Sequence, residues 1–135
     1  MTDPATTLRD LGQALSTYAT EPGAQGVVEI VGPDLEAMLS FYCTLGFRIE
    51  RRTDSFAVVN GFGVRIFLAE NREAPTVQRW ANIRILVPDA DLVWECVRSV
   101  GLPTGNAIGD RAYGLRDFLV VDPAGFEIRF AQMLR

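Results

Sequence analysis

The chain has 135 residues and contains neither histidine nor lysine, although it carries 13 arginines. Without imidazole there is no residue to shuttle a proton near neutral pH or to activate a serine or cysteine nucleophile. Without lysine there is no side-chain amine for Schiff-base chemistry. Only two cysteines are present, Cys43 and Cys96, far apart and within predicted helices. They read as buried small apolar residues rather than as a disulfide or a metal motif. No run of about 18 apolar residues occurs, which excludes a membrane-spanning helix. The first residues carry Asp3, Arg9 and Asp10 and no apolar stretch, so no signal peptide is expected and the expected location is cytoplasmic. A formal net charge of −4 disfavours nucleic acid, which selects basic patches. Gly61 and Gly63, like Gly105 and Gly109, are turn glycines and lack the strand–loop–helix context of a phosphate loop.

What is present is an ordinary globular composition, 48% hydrophobic and 22% charged, in a length that suits one domain or two fused half-sized modules. The chain also repeats itself. Residues 28–47 align without a gap with residues 83–102 at an offset of 55, pairing Ile30 with Ile85, Pro33 with Pro88, Asp34 with Asp89 and Gly46 with Gly101. A second register, at offset 62, sets residues 56–70 over 118–132. It pairs Phe56 with Phe118, Val58-Val59 with Val120-Val121, Gly63 with Gly125 and Ile66 with Ile128. Two copies of one unit predict a pseudo-symmetric fold.

Each copy reads as βαβββ. In the first, a strand over 25–31 leads through Gly32-Pro33-Asp34 into a helix over 35–44 that Asp34 caps and Gly46 stops. Strands over 47–51, 55–60 and 64–70 follow, with a hairpin turn at 60–63. In the second, a strand over 81–87 precedes a helix over 90–100, then strands over 115–121 and 126–132. The remaining strand falls somewhere in 103–109. Ahead of both, Leu8, Leu11, Leu15 and Tyr18 make one face of a helix that ends at Glu21-Pro22-Gly23. The expected organisation is an N-terminal helical arm over 1–24, a first module over 25–70, a linker over 71–80 and a second module over 81–135.

The landmarks Pro33-Asp34-Leu35-Glu36, Phe41-Tyr42, Leu45-Gly46-Phe47 and Val87-Pro88-Asp89, with the stretch 113–130 (YGLRDFLVVDPAGFEIRF), resemble the vicinal oxygen chelate superfamily. That superfamily includes glyoxalase I, extradiol dioxygenases, fosfomycin resistance enzymes and bleomycin resistance proteins. The resemblance covers roughly residues 26–132. It implies an α+β fold of tandem βαβββ modules whose curved mixed sheets surround a cavity, with a homodimer completing two sites. It also implies that metal-dependent members take ligands from the first and last strand of each unit. Those positions here are Val27, Phe67, Asn82 and Arg129. Valine and phenylalanine cannot coordinate, arginine repels a divalent ion, and asparagine offers one weak carbonyl. No metal and no cofactor is therefore expected.

Strand alternation then names the other residues on the cavity side: Val27, Glu29 and Val31; Arg65 and Phe67; Asn82, Arg84 and Leu86; Glu127 and Arg129. Tyr113 lies at the expected pocket mouth, with Trp80 and Phe56 as further aromatic candidates, while Trp94 and Phe41 read as core. The segment 104–112 reads either as a flap or as an ordinary loop. Buried charges must pair, stay wet or meet a ligand. They are open to three readings: a structural ion-pair network, a polar ligand pocket, or a metal on the displaced carboxylates Glu29 and Glu127. The expected ligand-binding set is Glu29, Arg65, Phe67, Asn82, Arg84, Tyr113, Glu127 and Arg129. The expected function is metal-free sequestration of a polar or aromatic small molecule, an antibiotic or a metabolite, in a dimer cleft, as in the bleomycin-resistance branch. The rival is a lyase, isomerase or dioxygenase-like enzyme built on Glu29 or Glu127. A third reading is a scaffold whose arm, through Leu8, Leu11 and Leu15, faces a partner.

Overall fold

The structure, a computed structural model, describes residues 3–14, 26–77 and 81–135. Leu15, Tyr18, the stop at residues 21–23 and Trp80 lie outside the described residues. An opening helix, α1 (Pro4–Ala14), precedes the first unit: β1 (Val28–Gly32), α2 (Leu35–Leu45), β2 (Arg48–Arg52), β3 (Phe56–Gly61) and β4 (Val64–Glu70). The second unit is β5 (Asn82–Leu86), α3 (Ala90–Ser99), β6 (Gly109–Asp110), β7 (Leu115–Val121) and β8 (Glu127–Met133). Each unit forms one four-stranded mixed sheet, in the orders β1-β4-β3-β2 and β5-β8-β7-β6. The first strand of each unit runs parallel to the last, and the other pairs are antiparallel.

The helix entries show why both units fold alike. Asp34 and Asp89 adopt extended backbone and accept from the N–H of Ala37 and Leu92, satisfying an orphan donor of the first turn. A second donor is met from the last strand of the same unit. Glu70 accepts from Leu35 N at 3.1 Å, and Gln132 accepts from Ala90 N at 2.9 Å. Gly46 stops α2 at φ 116°, a conformation open to glycine. No Cβ would fit there, because it would lie 2.3 Å from the Leu8 carbonyl oxygen of α1.

One side of each sheet packs into a common core. Ile30, Ala57, Val59, Ile66 and Leu68 from the first sheet join Ile85, Phe118, Val120, Ile128 and Phe130 from the second, with Met38, Tyr42, Val93 and Val97 from the helices. The helix α1 packs against both α2 and α3 and inserts Leu8, which is fully buried. The buried Tyr42 hydroxyl donates to Asp122 at 2.7 Å and ties the first unit's helix to the second unit's last turn. As expected, Phe41 is buried, and Trp94 packs on the core against Phe118.

Four expectations need correction. The offset of 62 relates β4 to β8 but not β3 to β7. In the first hairpin Gly61 pairs with Val64, leaving a two-residue turn; in the second Val121 pairs with Glu127, leaving five residues. The core-facing Ala57 and Val59 therefore match Phe118 and Val120, and Phe56 matches Asp117. The uniform apolar runs concealed this one-residue slip. The strand sought in 103–109 is only a two-residue pairing at Gly109–Asp110, with one isolated bridge at Thr104 to Val120. Cys96 is buried as expected, but Cys43 sits on the outer side of α2 and is exposed. Val28, expected against the helix, is more than a third exposed.

Candidate functional site

The sheet sides turned away from the core carry the polar residues, and they are open. Glu29, Asn82 and Arg84 are exposed, as are Leu86 at 59% and Met133 at 63%. Glu29, Arg65, Phe67, Asn82, Arg84, Glu127 and Arg129 lie on the sheet sides that alternation assigned them, but they divide into two clusters, one on each sheet, and Tyr113 lies in the loop before β7.

On the first face, β1 contributes Glu29, β4 contributes Arg65 and Phe67, and β3 contributes Phe56, Val58 and Asn60, as their pairing requires. Phe56 and Phe67 meet edge to face with centroids 5.3 Å apart, so the centre of this face is aromatic. A bulge in β2 between Ile49 and Arg51 brings Glu50 to the rim. Its carboxylate accepts from Arg65 at 3.1 Å and from the Asn60 amide at 3.2 Å. A cleft of about 270 Å³ opens here, lined by Glu50, Arg51, Val58, Arg65 and Phe67. Glu29 makes no hydrogen bond or ion pair among the described residues.

On the second face the centre is charged. Asp117, on the inner strand β7, is 1% exposed. Its carboxylate accepts from Arg84 at 2.6 Å, from Arg111 at 2.8 Å and from the Tyr113 hydroxyl. Burial pushes the Asp117 carboxyl up, but hydrogen bonds from Arg111, Tyr113 and Arg84 outweigh it and hold the pKa below the usual value. The Arg84 guanidinium lies over the Tyr113 ring, 5.2 Å from its centroid. Ala131 pairs with Asp117 on one side and with Leu86 on the other, and its small side chain lets Arg84 reach across β8. Beside this group, Arg129 donates twice to the buried Glu127, at 2.9 and 3.2 Å. The segment 104–112 is laced to β7 through Gly105 N, which donates to Leu119 O, and through Leu119 N, which donates to Asn106 Oδ1, and so is an ordinary anchored loop.

Sequence reasoning missed Asp117, Arg111, Glu50 and Asn60. Asp117 was within reach of alternation, since its neighbours Phe118 and Val120 divide the faces. Glu50 was not, because a bulge breaks the period.

The four positions at which the resemblance led metal ligands to be expected, Val27, Phe67, Asn82 and Arg129, have the wrong chemistry for an ion. Val27 and Phe67 have no side-chain donor atom, Asn82 offers one amide carbonyl, and Arg129 is a cation already bound to Glu127. No group of three or more Cys, Asp or Glu residues arranged to hold a metal occurs among the described residues. No helix is long and apolar enough to cross a membrane.

Two four-stranded mixed sheets, each built by one βαβββ unit and open on its outer face, define the class of fold. The sequence profile of the Glyoxalase/Bleomycin resistance protein/Dioxygenase superfamily matches residues 24–130, and the chain belongs to that superfamily. It is 28% identical over 120 residues to a bleomycin resistance protein of Geobacillus stearothermophilus, covering 76% of this chain and 91% of the relative. The crystal structure of a glyoxalase/bleomycin resistance protein/dioxygenase from Alicyclobacillus acidocaldarius superposes with a TM-score of 0.73 at 19% identity, covering 87% of this chain and 96% of that one. A bleomycin-binding protein from bleomycin-producing Streptomyces verticillus, complexed with copper(II)-bleomycin, gives a TM-score of 0.63 at 25% identity over 82% of this chain and 97% of that one.

Proposed function

We propose that this protein is a metal-free, homodimeric, cytoplasmic small-molecule binder that holds a polar or aromatic ligand in a cleft completed by a second copy. The relatives named for bleomycin resistance and bleomycin binding support the binding class. The observation that carries the reading is the second sheet face. Asp117 there holds Arg84, Arg111 and Tyr113 in one preset group with recognition chemistry, whose single carboxylate is already occupied by three donors. The exposed apolar Leu86 and Met133 on the same face fit coverage by a second copy.

Native mass spectrometry of freshly purified protein, prepared without chelator or metal-affinity resin, tests the proposal. A dimer that is bare or carries an organic mass is the expected result. A dimer with one metal per subunit would contradict it. The enzyme alternative would rest on Glu29 and Glu127, and Glu127 is already committed to Arg129. Turnover of any substrate that is lost in Glu29→Gln or Glu127→Gln, with the dimer intact, would establish the enzyme instead.

A further inference from the structure

We propose that the second sheet face selects a flat organic anion, an aromatic carboxylate, held by Arg84 and Arg111 with its ring against Tyr113. The inference deepens the binding reading above and rests on it. Its starting point is charge. Two guanidinium groups converge on one carboxylate, and both carboxylate oxygens of Asp117 are occupied by Arg84, Arg111 and Tyr113. The group keeps one net positive charge. The neighbouring Arg129 adds none, being matched by Glu127. Arg84, the direct partner of Arg129 across β5 and β8 on the same face, shares its acid Asp117 with Arg111, so an anion resting above Arg84 would meet the positive charge that Asp117 leaves unmatched.

The donors are also preset. Arg111 is pinned through Nε to Asp117 and through Nη2 to the carbonyls of Ala107 and Asp117, which leaves its Nη1 without a hydrogen bond among the described residues. Arg84 is held by its Nη1 bond to Asp117 and by its contact with the Tyr113 ring, and no hydrogen bond to an acid or carbonyl occupies Nε or Nη2 among the described residues. Their side chains are 33% and 29% exposed, so these edges reach the open face. A guanidinium fork fixed before binding loses little conformational freedom when it meets a carboxylate. Tyr113 completes the shape. Its hydroxyl is tethered to Asp117, yet the residue is 58% exposed and offers a ring beside the two forks. An organic cation would meet the same arginines with repulsion.

Isothermal titration calorimetry of the full chain with 2-naphthoate and 2-naphthylmethylammonium, which share a ring and differ in charge, tests this. Naphthoate is expected to bind at least about tenfold more tightly than the ammonium, and more weakly as salt rises. Arg84→Gln and Arg111→Gln are each expected to weaken naphthoate about tenfold or more, the loss of a charge-assisted contact. Arg84→Lys should fall between, keeping the charge without the fork. Arg72→Gln, at an exposed arginine outside the site, should bind like the parent. Circular dichroism of each variant separates lost contact from lost fold. Naphthoate affinity unchanged in both Gln variants, or an equal or tighter ammonium, would overturn the anion assignment and leave the binding reading standing. Binding of neither compound overturns the anion assignment alone, because metal content and turnover decide the binding reading.

Discussion

Phe56, Phe67 and Glu29 on the first sheet stand where Asp117, Arg129 and Arg84 stand on the second. The backbone is the same at all three places, and so is the apolar side turned to the core. The outer chemistry is not: the first face centres on an edge-to-face phenylalanine pair, the second on a buried carboxylate gripped by two arginines. The lesson is that packing against the helices constrains one side of each sheet, while the open side is free to differ between repeats. An aromatic face and a cationic face together suit a ligand with a ring and an acid. The proposed dimer would allow one copy's first face to meet its partner's second.

The largest difference between the faces lies at Asp117 and its counterpart Phe56. Asp117→Ala leaves Arg84 and Arg111, each about a third exposed, without their shared acid and should cost about 2–3 kcal/mol in urea unfolding. Phe56→Ala, at the matching place on the half-buried first face, should cost only about 1–2 kcal/mol. The Asp117 carboxyl is held below its usual pKa in the fold, so the stability it lends is present above the unfolded carboxylate pKa. That stability is lost as pH falls through the folded value. Asp117→Ala should flatten this acid limb.

Tyr42→Phe removes the link between the units and should cost about 2 kcal/mol, since the Asp122 carboxylate loses a buried hydroxyl donor. Burial first, and then the Asp122 charge and hydrogen bond, raise the Tyr42 phenol well above its usual pKa. The folded state keeps that proton where the unfolded chain sheds it, at about pH 10 and above. Stability therefore declines as pH climbs past that point, and the decline should be reduced in Tyr42→Phe. At the helix entries the repeats should behave alike. Asp34→Ala and Asp89→Ala should each cost about 1 kcal/mol by thermal unfolding, within a few tenths of each other. The smallest effect belongs to the first rim. Glu50→Gln weakens a partly exposed pair with Arg65 and should change urea stability by less than about 1 kcal/mol.

Much of this architecture was legible in the chain. Asp34 and Gly46 announce a capped helix and its stop, and alternating Val64, Ile66 and Leu68 against Arg65 and Phe67 assigns both faces of β4. Alternation also placed Glu29, Arg84 and Arg129 correctly, because those strands carry no bulge. The third strand of each unit defeated the same reasoning. Ala57 to Val59 and Phe118 to Val121 align about equally well in two registers, and only the pairings of Gly61 with Val64 and Val121 with Glu127 decide between them. With that register lost, the equivalence of Asp117 to Phe56 was lost too. Glu50 depended on a bulge, Arg111 on a loop whose course is set by bonds to Ala107 and Asp117, and Tyr42 with Asp122 on a contact across the two units.

The division of labour between the faces is tested most directly by the arginine side-chain Nε–Hε NMR spectrum, titrated with 2-naphthoate. The Arg84 and Arg111 signals should shift together and saturate with the calorimetric affinity, while those of Arg72 and Arg98 stay in place. Saturable shifts confined to Arg48, Arg51 and Arg65, with Arg84 and Arg111 unmoved, would put the anion on the first face and contradict it.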